Sequence, residues 1–137
     1  MARAQCCCGE LAIEVLGSPK RFGVCHCYNC RRRTGSAFGA SAYFDLAQVK
    51  EILGASSVYG FESKHSKGSQ RRYFCANCGT TLYWIYSETP EELGVAGGCF
   101  EIGYLNAPDY SVSNDNKLQW LTIRILHKSW ADSGLGP

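Results

Sequence analysis

Eight of the nine cysteines in this chain of 137 residues lie in three tight clusters, and their spacing limits what the chain can become. The clusters read Cys6-Cys7-Cys8-Gly9, Cys25-His26-Cys27-Tyr28-Asn29-Cys30 and Cys75-Ala76-Asn77-Cys78-Gly79. Thiols one or two residues apart can face a single Zn²⁺ at about 2.3 Å, and a following glycine permits the tight knuckle this requires. Taking Cys6 and Cys8 from the first cluster leaves seven ligands, an odd total that divides into a set of four and a set of three. A closed set of four is structural, whereas a set of three keeps one position for water or substrate.

Cys25, Cys27 and Cys30 fall within six residues and can wrap one ion unaided. Cys6 and Cys8 must instead be joined by folding to Cys75 and Cys78, which staples the start of the chain to a segment almost 70 residues on. Metal binding of that kind is itself folding free energy, on the order of 10 kcal/mol in small zinc peptides. Spacing leaves two alternatives open. Cys7 can replace Cys6 in the triple cysteine, and Cys75 or His65 can complete the three-cysteine set. A centre of three thiolates and one zinc carries a net charge near −1, so the ion is a weaker Lewis acid than one held by three neutral histidines. It suits a further soft ligand, such as a substrate thiol, better than it suits ionisation of water.

Other features bound the class. The length fits one domain over residues 1–137 with a real core. No run of about 18 apolar residues is present, and the first residues lack an apolar stretch suited to secretion. The expectation is a cytoplasmic protein that makes no use of membranes, where clustered cysteines bind metal rather than form disulfides. Seven ionised thiols and two zinc ions would bring the formal charge of +2 to about −1, which argues against a nucleic-acid partner.

Most segments read as short strands: residues 11–16, 21–25, 37–44, 57–61, 71–74 and 80–86, with an apolar run at 118–126 near the C-terminus. Asp45 caps one helical turn carrying Leu46, Val49, Ile52 and Leu53, which leads into a strand and stops at Gly54. The fold class is therefore mostly β, with metal knuckles joining strands. Tyr28, Phe38, Tyr43, Phe44, Tyr73, Phe74, Tyr83 and Trp84 are expected to furnish much of the core.

The runs Cys6-x-Cys8-Gly9, Cys25-His26-Cys27-x-x-Cys30-Arg31 before Thr34-Gly35-Ser36, and Arg72-Tyr73-Phe74-Cys75-x-x-Cys78-Gly79-Thr80 before Leu82-Tyr83 carry a family resemblance. Over about residues 5–105 the chain resembles the glutathione-dependent formaldehyde-activating enzymes, a family that includes centromere protein V-like proteins. The resemblance implies a β-tent fold with two zinc ions per chain. It places a structural zinc on Cys6, Cys8, Cys75 and Cys78, and an open, catalytic zinc on Cys25, Cys27 and Cys30. It also implies a carbon–sulfur lyase activity in which a small thiol such as glutathione adds to formaldehyde, giving S-(hydroxymethyl)glutathione. After about residue 105 the chain departs from the family, and Gly98-Cys99-Phe100-Glu101 stands where members often carry Gly-x-Leu-Asp.

Two residues are candidates for the chemistry beyond the thiols. His26, between two ligands, can orient the site or move a proton, or it can point away towards backbone. Arg31 adjoins Cys30 and leads a run of three arginines, which can bind a substrate carboxylate or form a solvated basic stretch. Arg71 and Arg72 can act similarly from the third cluster. His65 reads as a loop histidine, His127 has no supporting context, and Cys99 reads as a buried inert thiol. The rival readings are a non-catalytic zinc-stabilised binding module and a thiol redox enzyme using Cys99.

Overall fold

Short β-prone runs separated by turns pair into two sheets, and the cysteine clusters sit where these strands end. The computed structural model describes residues 1–62 and 68–126. His65, His127 and Trp130 lie outside the described residues. The strands are β1 (Ala2–Gln5), β2 (Ala12–Val15), β3 (Arg21–Cys25), β4 (Gly39–Asp45), β5 (Val49–Leu53), β6 (Ser56–Glu62), β7 (Ser69–Cys75), β8 (Thr81–Tyr86), β9 (Glu92–Ala96) and β10 (Tyr110–Val112). A helix, α1 (Tyr28–Thr34), follows β3. A three-stranded sheet has the order β1-β2-β5, and a seven-stranded sheet has the order β10-β3-β4-β9-β8-β7-β6. All pairings are antiparallel except β10 with β3, which is parallel.

The fold class is mostly β, as the sequence predicts. The turn at Asp45 forms too. Gln48 Oε1 accepts the Asp45 backbone N–H at 3.0 Å, closing a single 3₁₀ turn (Leu46–Gln48) that runs straight into β5. The apolar run at 118–126 contains no strand. Its backbone is tied in local turns, such as Leu121 N–H to the Leu118 carbonyl, and Trp120 is 74% exposed. Tyr28 is not in the core but 56% exposed, with the guanidinium groups of Arg31 and Arg32 over its ring at 5.3 and 5.2 Å. A ring on the first turn of a seven-residue helix with no buried residue has no core to enter.

Between the sheets, Ala4, Leu11, Ile13 and Val15 from the smaller one share a core with Phe44, Leu82, Leu93 and Val95 from the larger. Each large aliphatic or aromatic side chain removed from water there contributes roughly 1.5–3 kcal/mol. At one end of β3, Arg21 makes a two-point contact with Glu92 of β9 at 2.7 and 3.2 Å, and Lys20 reaches the same carboxylate at 2.8 Å. Hydrogen bonding from Arg21 foremost, then from Lys20, holds the Glu92 carboxyl down to about 2.

A folded-state value below the ordinary 4.5 means that this cluster contributes fully above about pH 4.5 and is lost as pH falls towards 2. Glu92→Gln is therefore expected to lower the urea midpoint at pH 6, and the gap to the wild type should narrow steadily between pH 4.5 and pH 3. Acid loss of bound metal acts on both proteins alike, so a gap independent of pH contradicts this assignment.

Candidate active site and metal centres

Each member of the four-thiol cluster arrives through a knuckle. After β1, the Cys6 N–H donates to the Leu11 carbonyl at 2.9 Å and the Leu11 N–H donates to Cys6 Sγ at 3.2 Å, with Gly9 turning the chain at φ +82°. After β7 the same pattern recurs. The Cys75 N–H donates to the Thr80 carbonyl at 2.9 Å, the Asn77 and Cys78 amides both point at Cys75 Sγ at 3.4 Å, and Gly79 sits at φ +80°. Glycine is needed at both turns because side chains disfavour that backbone region. A bond from the Cys7 N–H to Thr80 Oγ1, 3.1 Å, ties the two knuckles together.

The sulfurs of Cys6, Cys8, Cys75 and Cys78 all lie within 4.8 Å of one another and can hold a metal ion. A regular tetrahedron of thiolates about 2.3 Å from zinc has edges of about 3.8 Å. The Cys6–Cys8 and Cys8–Cys75 sulfurs are 3.6 and 3.7 Å apart, so the donor set fits such an ion. Cys7 is exposed and stands outside the group, whereas Cys6 is buried within it. Bonding from the Thr80 hydroxyl, then from the Thr80 and Cys8 backbone amides, pulls the Cys78 thiol down to about 5.

The three-thiol cluster forms where β3 hands over to α1. Cys25 ends the strand, Cys27 is the residue before the helix, and Cys30 lies in its first turn with its N–H donating to Cys27 Sγ at 3.3 Å. Their sulfurs also lie within 4.8 Å of one another, and neither Cys75 nor any described histidine joins them. Hydrogen bonds from Cys25 and then Cys30, together with the Cys30 and Asn29 amides, hold the Cys27 thiol well below the ordinary thiol range. The same shared bonding, with Cys27 first for Cys25 and Cys25 first for Cys30, pushes those two thiols up, so the three sulfurs hold a single negative charge between them until a cation joins them.

His26 is fully buried and turned towards β10. The His26 backbone N–H donates to the Val112 carbonyl at 3.1 Å, and the ring Nε2 lies 3.0 Å from Ser111 Oγ. The Ser111 hydroxyl donates to Asn114 Oδ1 at 2.6 Å, so its single proton is spent and Nε2 must be the donor in the His26 pair. Nδ1 then carries a lone pair, buried and without a partner among the described residues. Burial first, then the charges of Lys117 and Arg31, push the imidazole down and keep it neutral. The same turn contains Ser113, whose φ of +55° is the one non-glycine positive value among the described residues, and the Cys25 thiol donates to its Oγ across 3.8 Å.

Cys25 and Cys30 open onto a small cavity of about 50 Å³, walled also by Arg33, Gln70, Arg72, Tyr43 and Tyr86. Arg31 does not line it. The half-buried Arg31 stands over Tyr28, while Arg33 turns to stack on Trp84 at 4.3 Å. Arg33 also borders a larger cleft of about 480 Å³ that includes Phe38, Cys7, Cys78 and Cys99. Burial, then the nearby Cys7 and Cys6 sulfurs, push the Cys99 thiol up to about 11, which leaves it a poor nucleophile at neutral pH. Gln70, nine-tenths buried, is missed by the sequence reading. The signal was present, because Gln70 and Arg72 put polar groups on the inward-facing period of β7.

Fold and site together define a mostly-β protein that gathers thiols into two metal-competent clusters. The family model described as glutathione-dependent formaldehyde-activating enzyme matches residues 1–115, and the chain belongs to that family. It is 31% identical over 83 residues to a Schizosaccharomyces pombe (strain 972 / ATCC 24843) protein named as an uncharacterized lyase. That match covers 60% of this chain and 56% of the yeast protein, so it spans about half the relative's length. A crystal structure of a Rhodobacter sphaeroides protein is similar with a TM-score of 0.55 at 27% identity, covering 76% of this chain and 90% of that one. Among the described residues no helix is long and apolar enough to cross a membrane.

The separation of Cys6 from Cys7 is open to a direct check. Cys7→Ser is expected to keep two metal equivalents by elemental analysis and the wild-type melting temperature. Cys6→Ser should lose one equivalent and melt far lower, as the removal of a site worth on the order of 10 kcal/mol requires. Equal metal loss in both variants would contradict the assignment.

Proposed function

We propose that this chain is a carbon–sulfur lyase that joins a small thiol to a small aldehyde and cleaves the adduct in reverse. Glutathione and formaldehyde are the substrates that the family's description offers. The observation that carries the reading is the difference between the two clusters. Cys6, Cys8, Cys75 and Cys78 supply a full tetrahedral set, while Cys25, Cys27 and Cys30 supply three donors, two of which face a cavity. Cys25, Cys27 and Cys30 would hold the catalytic zinc. Bound there, zinc supplies a soft cation that keeps an incoming thiol ionised at neutral pH.

The protein's own groups supply position and polarity. In the forward direction a sulfur lone pair forms the new bond to the aldehyde carbon, and the carbonyl π pair moves onto oxygen. The proton released by the thiol balances the one that oxygen gains, so no oxidant or other co-reactant is consumed. His26, neutral and bonded to Ser111, positions the loop between Cys25 and Cys27 rather than carrying that proton. The inward side chain Arg33 takes the polar role that the sequence alone suggests for Arg31.

Titrating the cobalt-substituted protein with glutathione tests this reading. Two cobalt ions should bind, and the spectrum of only one should change with thiol. Cys30→Ser should lower the rate of S-(hydroxymethyl)glutathione formation by more than about 100-fold, beyond what loss of an outer-shell partner costs, while leaving the four-thiol site loaded. A full metal complement that ignores thiols would instead favour a non-catalytic zinc-stabilised module.

A further inference from the structure

The cavity beside Cys25 and Cys30 contains two guanidinium groups and, among the described residues, no carboxylate to meet them. Arg72 is 93% buried by its 7% exposure, an environment arginines enter almost exclusively with a counter-charge. Its Nε donates to Gln70 Oε1 at 2.9 Å, and Gln70 is itself only 3% exposed. Phe61 covers the guanidinium from one side, with Cζ 4.7 Å from the ring centroid. Arg33 approaches from α1 across the backbone of Gly39. A Cβ on that glycine would lie 2.5 Å from Arg33 Nη2 and 3.1 Å from Cys30 Cβ, so the guanidinium passes close over the Gly39 backbone and a side chain there would displace it. The indole of Trp84 then holds the Arg33 guanidinium from its face, leaving the planar edge for hydrogen bonds.

Among the described residues, the ion pairs are those of Lys20 and Arg21 with Asp45 and Glu92, and neither Arg33 nor Arg72 takes part in one. Burial foremost, and then the Arg33 charge, push the Arg72 guanidinium down, while the Cys30 sulfur opposes them in part. Three thiolates holding one zinc would carry a net charge near −1 against two guanidinium charges, which leaves one positive charge unmatched and marks a place for an anion. Size restricts which anion fits. About 50 Å³ exceeds the 10–15 Å³ that a single water needs but falls far short of a tripeptide. A bulky thiol therefore lies outside, with only its sulfur near Cys25 and Cys30.

We infer that Arg33 and Arg72 form a subsite for a small oxyanion of one or two carbons on the substrate's carbonyl fragment. This rests on the lyase reading and adds the fragment's chemistry to it. The oxyanion has two possible sources. It is either a carboxylate next to the reacting carbonyl, as in glyoxylate, or the aldehyde oxygen itself as the sulfur–carbon bond forms and the π pair moves onto it. The Tyr43 and Tyr86 phenols in the same wall are kept protonated by burial and add no competing charge.

Formate, an inert one-carbon oxyanion, is the probe, used on the zinc-loaded protein without any thiol. Isothermal titration calorimetry should show one formate per chain, weakened at least about tenfold in Arg72→Met and in Arg33→Met, as loss of a charged hydrogen-bond donor requires. Arg71→Met, exposed on the other face of β7, should bind formate like the wild type. Arg33→Met, on the helix, serves where the buried Arg72 variant does not fold, and metal content and circular dichroism establish folding in each case. Formate binding that is absent from the wild type, or unchanged in a folded Arg33→Met protein, overturns the proposal. In a second arm, a selective loss of kcat/KM for glyoxylate over formaldehyde identifies a carboxylate, and an equal loss for both identifies the developing alkoxide. Because formate binding is read without turnover, a protein that binds formate through these arginines yet catalyses no thiol addition would refute the lyase reading and leave the subsite standing.

Discussion

Four sulfur atoms from the start and the middle of the chain converge within 4.8 Å, and the arrangement of the rest follows from that convergence. Cys6 and Cys8 leave the three-stranded sheet, whereas Cys75 and Cys78 belong to the β7–β8 connection of the seven-stranded sheet. Thiolates at such distances repel one another unless a cation neutralises them, so a bound ion would pin the cluster together. Once the two sheets are pinned there, the aliphatic face of β2 can close on Phe44 and Leu82. The joined core then presents β3 and α1 in a fixed relation, and the second group of thiols forms at their junction.

The contrast between the two clusters is a contrast of surroundings as well as of ligand number. The four-thiol cluster is wrapped by backbone amides and by Thr80, and its knuckles are bonded to each other. The three-thiol cluster is braced on one side by the His26–Ser111–Asn114 chain and faces arginines across a cavity on the other. A neutral, buried imidazole between Cys25 and Cys27 adds no positive charge beside the three sulfurs. Arginines across the cavity favour whatever negative charge arises there. Such preorganised charge acts most strongly where water is excluded.

Much of the metal chemistry was legible in the sequence because chelation is local. Spacing of one or two residues and a following glycine are enough to predict a knuckle, and Gly9 and Gly79 adopt the backbone geometry that the motif requires. Helix α1 was missed for an equally physical reason. It spans seven residues and buries none of them, so it leaves no apolar period to detect; its marks are only Cys27 before it and Gly35, at φ +63°, after it. Strand β9 was also missed, being five residues with a central glycine. The cavity was the least visible feature. It depends on the sheet order β3-β4-β9-β8-β7, which places Arg72 near Cys30 although more than 40 residues separate them. No local pattern distinguishes Arg33 from Arg31 in a run of three, since only the packed helix shows which one turns inward.

The central claim is that one centre is closed and the other keeps a position for a substrate sulfur. X-ray absorption at the zinc edge of the fully loaded protein tests it most directly, because sulfur and light-atom ligands differ in distance by about 0.2–0.3 Å. Without added thiol the average should be about 3.5 sulfurs per zinc, with the remainder a light atom, and glutathione should raise it to about 4. An average of four sulfurs before any thiol is added, unchanged by glutathione, would contradict the account.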